Sequence, residues 1–313
     1  RSRYRCRIRF AIEPHSQVWQ NTPYCISEQK ANHCMAGPRI DEIGPWSEVK
    51  LDIVKRYAAE YSKILSNQKD PELFHVYIDA FAGAGYHLSE TTGDMVLGSP
   101  LNALLVRPPF RQYHLIDMDG DRAVSLRGLV GSRTDVSIYP EDCNDVLPKK
   151  IFPAVRFQDY RRGLCILDPY GLHLNWEVIQ TAGSMKSLDV FINFPMYDIN
   201  INVLHRDPRT VLPLHIERMN AYWGDESWRN VAYEESSPDL FGNTELEKVS
   251  NERFAAAFRE RLRKVAGFKK VPEPLAMRNR KGSTVYYLFF ASQKGTAEDI
   301  VKYIFKKFGT ATV

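Results

Sequence analysis

The chain has 313 residues, enough for one large α/β domain or for such a domain with a sizeable insertion. Hydrophobic residues make up 44% of it and charged residues 26%, which is the composition of an ordinary soluble globular protein. No window approaches the roughly 18 consecutive apolar residues of a membrane span, and the N-terminus lacks the apolar core of a signal peptide. The net charge of +4 is too small to indicate a nucleic-acid partner by itself.

Residues 1–45 show no sustained periodicity and are predicted to be a basic N-terminal extension. Arginine occupies every odd position at its start, namely Arg1, Arg3, Arg5, Arg7 and Arg9. In a strand, this period of two places every guanidinium group on one face. Two interpretations stay open: an arm that contacts nucleic-acid phosphates, or a solvated edge strand whose charges block aggregation.

The cysteines are five in number, with irregular spacing and no CxxC pair (Cys6, Cys25, Cys34, Cys143 and Cys165). Scattered thiols of this kind fit a reducing cytosol better than a disulfide framework, so we expect a cytoplasmic protein. The N-terminal cysteines and His33 match no standard zinc-ligand spacing, and the sequence therefore predicts no metal site.

The first regular element is a helix predicted over residues 48–66, where apolar side chains recur at helical spacing behind the N-cap Ser47. Short apolar strands then alternate with helical stretches. The predicted strands cover residues 75–79, 113–117, 135–139, 164–167 and 188–193. The predicted helices cover residues 99–107, 122–130 and 176–182, with Ser99 as the cap of the first, and residues 86–98 are predicted to be a loop or hairpin. This alternation indicates βαβ units and a Rossmann-like, doubly wound, mostly parallel sheet.

Residues 197–243 break this alternation and are predicted to be a helical insertion between the two parts of the domain, 46–196 and 244–313. Basic residues and aromatic residues are interleaved in it, among them His205, Arg206, Arg209, His215, Arg218, Trp223, Trp228 and Arg229. This pattern suits either a nucleic-acid surface or a small satellite core with a charged rim. After a helical stretch at 245–266, residues 268–277 and 283–292 are predicted to form a C-terminal β-hairpin around a basic turn, and a helix capped by Thr296 closes the chain.

The sharpest motif is the run DAFAGAG that follows the first predicted strand. The carboxyl ends of parallel strands form the ligand-binding edge of such sheets, and glycine lets the backbone approach a ligand closely. The run is therefore a candidate cofactor loop, and its candidate binding residues are Asp79, Phe81, Ala82, Gly83 and Gly85.

Polar residues also end the next three strands. Asp117 and Asp119 follow the second strand, where a carboxylate can accept hydrogen bonds from both ribose hydroxyls of a cofactor that lacks a 2′-phosphate. Asp142, Cys143 and Asn144 follow the third strand, where an Asx side chain and a backbone N–H can read the amino group and a ring nitrogen of adenine. Each carboxylate alone would more often be a loop cap, but a series at successive strand ends is hard to explain as packing.

The fourth strand ends in Asp168-Pro169-Tyr170-Gly171, beside the expected reacting centre. Asp168, Pro169 and Tyr170 are the candidate catalytic residues, with Asp168 orienting or deprotonating an acceptor. Near the start of the first helix, Lys50 is a candidate residue for the methionine end of the cofactor, although a solvated lysine is the commoner explanation.

In this combination the chain resembles the three-Cys-motif partner (TcmP) family of bacterial proteins. The likeness runs from about residue 44 to residue 193 and is carried by GPWSEVKL at 44–51, DAFAGAG at 79–85, GSPLNAL at 98–104 and LDPYG at 167–171. It implies a class I S-adenosylmethionine (SAM) methyltransferase-type fold, SAM as cofactor, and a neighbouring partner protein with a radical-SAM-type motif.

The strand ends are also similar to those of adenine-N6 methyltransferases, which carry Asp/Asn-Pro-Pro-Tyr/Phe where this chain has Asp168-Pro169-Tyr170-Gly171. There, side-chain and prolyl oxygens accept the hydrogens of the target amine, and the aromatic ring stacks on a flipped base. Here one proline is missing and the aromatic residue comes one place early. Two hypotheses follow: a SAM-dependent methyltransferase that acts on nucleic acid, or a non-catalytic SAM- or nucleotide-binding partner of a radical-SAM or repair-type enzyme.

Overall fold

The strands of the protein, in a computed structural model that describes residues 40–236 and 246–309, alternate with helices along most of the chain. The strands are β1 (Asp41–Ile43), β2 (Phe74–Asp79), β3 (Tyr86–Ser89), β4 (Met95–Leu97), β5 (Gln112–Ile116), β6 (Val136–Tyr139), β7 (Arg161–Leu167), β8 (Leu188–Phe194), β9 (Tyr233–Glu235), β10 (Leu246–Lys248), β11 (Leu275–Arg278) and β12 (Thr284–Ala291). The α-helices are α1 (Pro45–Asn67), α2 (Ser99–Leu104), α3 (Gly120–Val130), α4 (Cys143–Val146), α5 (Trp176–Met185), α6 (Met196–Asn202), α7 (Pro213–Trp223), α8 (Trp228–Ala232), α9 (Asn251–Lys264) and α10 (Gly295–Gly309). The basic arm of residues 1–9 and the cysteines at 6, 25 and 34 lie outside the described residues.

A seven-stranded sheet in the order β11-β12-β8-β7-β2-β5-β6 is the centre of the fold. The five strands from β8 to β6 are parallel to one another. Strand β12 runs antiparallel to β8, and β11 runs antiparallel to β12. The predicted doubly wound, mostly parallel sheet with a C-terminal hairpin is therefore confirmed.

The sheet separates two hydrophobic cores, because successive side chains of a strand point to opposite faces. In β2, Val76 and Ile78 belong to one core and Tyr77 to the other. Residues from α1, α3 and α10 complete the core on the Tyr77 side, and residues from α5, α7 and α9 complete the core on the opposite side. Both faces of the sheet are therefore covered, and ligands reach its strands at the carboxyl edge.

Three predicted caps were wrong. Helix α1 has Gly44 as its N-cap and α2 has Gly98, and neither has a side-chain cap bond, so Ser47 and Ser99 lie inside their helices. A proline in the first two positions of each helix has a φ angle already suited to a helix, and it moves the start toward the N-terminus. Thr296 likewise lies inside α10, which begins at Gly295.

The helical stretch predicted from residue 245 begins later, because β10 pairs with β9 in a separate two-stranded sheet. The side chain of Ser250 then caps α9 by accepting a hydrogen bond from the backbone N–H of Arg253 at 3.2 Å. Pairing with a strand that precedes it by more than ten positions decides the structure of β10, so a local pattern does not reveal it.

The two tryptophans of the predicted insertion lie inside the protein. Trp223 and Trp228 are buried, and the ring of Trp223 stacks on Phe254 of α9 with 5.3 Å between centroids. They join the main core on that face of the sheet and do not form a satellite core. No helix in the described part of the chain is long and apolar enough to cross a membrane.

Candidate functional site

Two adjoining cavities open at the carboxyl edge of the parallel strands. The first, which we name the acidic cavity, has a volume of about 470 Å³ and is lined by residues from the ends of β2, β5, β6 and β7, with the carboxylates Asp117, Asp119, Glu141 and Asp142 in its wall. The second, the Asp168 cavity, has a volume of about 290 Å³ and lies between the ends of β7 and β8 and the start of α1. Phe81 and Tyr170 line both cavities and so form their common wall.

The turn after β2 is held by two carboxylates. Asp79 accepts a hydrogen bond from the backbone N–H of Phe81 at 3.3 Å, and Asp117 accepts one from the backbone N–H of Gly83 at 2.8 Å. Gly83 and Gly85 have φ angles of +65° and +95°, which L-residues rarely adopt. A Cβ on Gly85 would also lie 2.8 Å from a methyl carbon of Leu129, so backbone angle and packing both require glycine there.

Asp79, Ala82, Gly83 and Gly85 are not among the residues that line the two cavities. Asp79 is fully buried, and its carboxylate accepts a hydrogen bond from the Tyr77 hydroxyl at 3.2 Å. Burial raises the pKa of Asp79 from 3.8 to about 6. The motif therefore acts mainly as a support that presents Phe81 at the junction of the cavities.

Of the two carboxylates that follow β5, Asp117 is the better placed for a ligand. It lines the acidic cavity and is 8% exposed. Its two oxygens accept the backbone N–H groups of Gly83 and Asp119, at 2.8 and 2.9 Å. A carboxylate offers about four acceptor sites, so it can still bind two hydroxyl groups. Asp119 lines the same cavity, but one of its oxygens caps α3 by accepting the N–H groups of Asp121 and Arg122.

Of the polar side chains after β6, that of Asp142 lines the acidic cavity, and that of Asn144 holds a neighbouring loop in place. Asp142 caps α4 through a 2.8 Å bond from the N–H of Asn144, and its side chain lines the acidic cavity. The Asn144 side chain donates to the carbonyl of His173 at 3.1 Å and accepts from the N–H of Asn175 at 2.8 Å. It therefore holds the loop after β7, which leaves Asp142 as the Asx side chain available for an adenine amino group.

Cys143 is buried at the wall of the acidic cavity. Burial, with Asp142 next to it, raises the pKa of its thiol to about 12. The thiol is therefore protonated at neutral pH and is not a nucleophile. The contribution of Cys143 to ligand binding is its position in the wall.

Arg122 joins α3 to the common wall. It pairs with Asp41 of β1 at 2.8 Å and donates to the Tyr170 hydroxyl at 3.3 Å. The hydroxyl of Tyr170 in turn donates to Asp41 at 3.1 Å, and the Arg122 guanidinium lies 5.3 Å from the centre of the tyrosine ring. Three segments far apart in the chain thus fix Tyr170 between the two cavities.

The Asp168 carboxylate is held from two sides in the second cavity. One oxygen accepts a hydrogen bond from the Asn193 side chain at 2.8 Å, and the other forms an ion pair with Lys50. The lysine ammonium also lies 5.2 Å from the centre of the Tyr286 ring. The side chain of Lys50 is 13% exposed, so it is not a solvated surface lysine. It lines the Asp168 cavity, beside Asp168, and does not line the acidic cavity.

Two buried polar atoms of the Asp168 cavity have no hydrogen-bond partner among the described residues: Oδ1 of Asn193 and Nδ1 of His87. Burial, with Lys50 nearby, lowers the pKa of His87, so its ring is neutral at physiological pH. Unsatisfied buried polar atoms are rare in folded proteins, because each costs free energy. Both residues line the Asp168 cavity, but these two atoms have almost no accessible surface and lie behind its wall.

Arg218 is a site residue whose place could not be read from the sequence, where it counted as part of a basic surface. Its helix, α7, carries it to the acidic cavity, near Asp142 and His173. It is half-buried and forms no hydrogen bond or ion pair with the described residues. The sequence signal was weak, because every basic residue of residues 197–243 fits the same surface interpretation.

No family model matches the chain, and no curated protein matches it, so the resemblance to the TcmP family stays a prediction. Several solved structures are similar to it at low identity. A Legionella pneumophila protein of the DUF519 family is 12% identical, with a TM-score of 0.47 over 83% of this chain and 91% of its own.

Two proteins named as methyltransferases also match. One, from Thermobifida fusca, is 13% identical, with a TM-score of 0.40 over 80% of both chains. The other, named as SAM-dependent, comes from Listeria monocytogenes and is 12% identical, with a TM-score of 0.38 over 76% of this chain and 98% of its own. Because these TM-scores are below 0.5, the fold of this chain is established by its own strand order and strand directions.

Proposed function

We propose that the protein is a SAM-dependent methyltransferase whose acceptor is an amine on a nucleic-acid base. The observation that carries this proposal is the junction of the two cavities at Phe81 and Tyr170. One cavity has carboxylates at successive strand ends, which can accept hydrogen bonds from the hydroxyl and amino groups of a nucleoside. The other has a carboxylate that can bind the acceptor. Their volumes, about 470 and 290 Å³, are in the range of ligand pockets.

The residues present fit this cofactor. Asp117 would accept the ribose hydroxyls with its remaining lone pairs, and Asp142 and the backbone N–H of Cys143 would bind the amino group and a ring nitrogen of adenine. The cofactor would supply a methyl group that its sulfonium already activates, so the protein has to position the reactants and exclude water. Phe81 and Tyr170 line both cavities and would stand between cofactor and acceptor.

The acceptor side fits an amine. The Asp168 carboxylate accepts a hydrogen bond from an amino group with a lone pair that Asn193 and Lys50 leave free. When the nitrogen gains the methyl group, one of its protons moves to Asp168. Lys50 and Asn193 hold the carboxylate in place from two sides. The aromatic side chains of Trp46, Phe81 and Tyr197 line the same cavity and offer faces on which a flat base can stack.

The first test is calorimetric titration of the purified protein with S-adenosylhomocysteine (SAH). Micromolar binding that is lost in Asp117→Ala supports the cofactor assignment. Labelled SAM is then incubated with RNA, DNA and protein fractions to find the acceptor. Binding without transfer to any fraction would favour the second hypothesis, a non-catalytic SAM-binding partner, and failure to bind SAH would reject the methyltransferase proposal.

A further inference from the structure

A basic turn stands at the same edge of the sheet as the two cavities. Strand β12 is antiparallel to β8, with Tyr287 opposite Phe194 at the carboxyl end of β8. Strand β11 therefore ends, and β12 begins, at the carboxyl edge. The turn of residues 279–283 between them projects beside the Asp168 cavity, which Val285 and Tyr286 of β12 help to line.

This turn borders a third cavity, which we name the basic cavity. Its volume is about 410 Å³, and its lining combines Arg278, Asn279, Arg280 and Gly282 with apolar residues, among them Val49, Leu275 and Phe308. Trp46 belongs to the lining of both the basic cavity and the Asp168 cavity, so the two cavities are neighbours. A ligand in the Asp168 cavity therefore has the basic cavity next to it.

The turn is shaped by its own side chain and backbone. Oδ1 of Asn279 accepts the backbone N–H groups of Lys281 and Ser283, each at 3.0 Å, and Gly282 has a φ angle of +79°. An Asn side chain that bonds the backbone two residues on is a typical turn device. Arg280 and Lys281 are thereby presented on an ordered turn.

The positive charges of this turn are largely uncompensated. Arg280 forms one long hydrogen bond, 3.4 Å to the hydroxyl of Thr91, and Lys281 forms no ion pair with the described residues. Arg278 has one carboxylate neighbour, Glu252, at 3.4 Å. One carboxylate thus balances three cationic side chains, which leaves a net positive charge beside the Asp168 cavity.

We propose that the basic cavity binds backbone phosphate of a single-stranded nucleic acid whose target base occupies the Asp168 cavity. The inference rests on the proposed function and names the surface that holds the rest of the acceptor. A base and its neighbouring phosphate are separated by one sugar, and the two cavities likewise have one lining residue, Trp46, in common. Arginine and lysine bind phosphate as charge-assisted donors, and single strands leave the base free to enter a pocket.

The test compares a turn variant with a matched control. The turn variant combines Arg280→Ala and Lys281→Ala. The control combines Lys63→Ala and Lys269→Ala, which remove two exposed lysines near the opposite edge of the sheet, close to the C-terminal end of α1 and the bridge from Lys270 to Ser292. Both variants lose two positive charges, so a general effect of net charge is the same in each.

The probes are short fluorescein-labelled single-stranded RNA and DNA of one sequence, titrated by anisotropy at several salt concentrations in the presence of SAH. Each phosphate contact in a single strand contributes about 0.7 to the slope of log affinity against log salt. We expect the turn variant to lose about 1.4 in slope relative to the wild type, since two contacts are removed. The control keeps the wild-type slope, and SAH binds all three proteins equally.

An unchanged slope in the turn variant would overturn the inference, as would equal losses in both variants. Competition by a mononucleotide as strong as that by the oligonucleotide would also overturn it, because the phosphate would then belong to a small acceptor. If the wild type fails to bind SAH, the proposed function itself is rejected. Loss of oligonucleotide binding with SAH binding retained therefore concerns the basic cavity alone.

Discussion

Asp117 accepts a hydrogen bond from the backbone N–H of Gly83 at 2.8 Å, which ties the end of β5 to the glycine turn after β2. The same carboxylate lines the acidic cavity. It therefore has two tasks, since it fixes the turn that carries Phe81 and it faces a bound nucleoside. This coupling makes it the sharpest position at which to test the cofactor assignment.

Asp117→Ala is expected to weaken SAH binding at least about tenfold, or about 1.4 kcal/mol, because two hydroxyl acceptors are lost and the Gly83 N–H is left without its partner. Calorimetry measures the affinity. Asp121→Asn is the control, because Asp121 is exposed in the first turn of α3 and lines neither cavity. Wild-type affinity in Asp117→Ala would show that the ribose binds elsewhere.

Asp168→Asn is expected to lower methyl transfer by about 10²- to 10⁴-fold, the usual contribution of a positioned acid or base, while SAH binds as in the wild type. The amide keeps the shape of the side chain but cannot accept the proton of the amine. Transfer from labelled SAM and calorimetry with SAH are measured side by side. Full activity in this variant would place the acceptor outside the Asp168 cavity.

Lys50→Met removes the ammonium group that pairs with Asp168. We expect transfer to fall while SAH binds as in the wild type, because the ammonium holds the Asp168 carboxylate in place and, of the two cavities, Lys50 lines only the one that contains Asp168. Transfer from labelled SAM and calorimetry with SAH are measured on the same preparation. Wild-type transfer in this variant would mean that the hydrogen bond from Asn193 is enough to hold the carboxylate.

Arg218→Ala is expected to weaken SAH and free adenosine by the same factor, about tenfold, because Arg218 lines the acidic cavity together with Asp142, the proposed adenine contact, and stacking of a cation on a ring contributes roughly 0.5–2 kcal/mol. Arg229→Ala is the control from the same segment, where the guanidinium lies over Trp228. Calorimetry with both ligands distinguishes a contact to adenine from a contact to another part of SAH. A loss for SAH but not for adenosine would contradict an adenine contact.

The buried Asp79 predicts a pH dependence of stability. Its pKa in the folded protein, about 6, lies above the ordinary 3.8, so the folded state binds this proton more tightly than the unfolded state does. The contribution of Asp79 to stability is therefore complete below the ordinary pKa and is lost as pH rises through about 6. A shift of about two pKa units corresponds to about 3 kcal/mol.

Asp79→Asn removes this titration. We expect the free energy of unfolding of the variant, relative to the wild type, to rise by about 2 kcal/mol between about pH 4 and pH 7, because part of the contribution is already lost at pH 4. Urea unfolding at a series of pH values measures the difference. A difference that stays constant across this range would show that Asp79 titrates alike in the folded and unfolded states.

The order of elements and the edge that carries the site could be predicted from the sequence. Hydrophobic runs of strand length, separated by helical stretches, are local patterns, and they placed five parallel strands and the terminal hairpin correctly. The acids at the strand ends then had to meet, because parallel strands bring their carboxyl ends to one edge. Caps and the strand β10 could not be predicted in this way, since a proline position and a distant pairing decide them.

Tertiary structure decided which of those residues face a cavity and which support it. Asp79 and Asp117 both follow a strand, yet one is fully buried while the other lines the acidic cavity. Asp168 pairs with Lys50 across 118 positions of the chain, and Arg218 reaches the acidic cavity from a segment that breaks the regular alternation. Local sequence determines the strands and their order because backbone preferences are short-range. Burial, pairing and cavity walls arise only when distant segments pack together, and they assign each polar residue its chemistry.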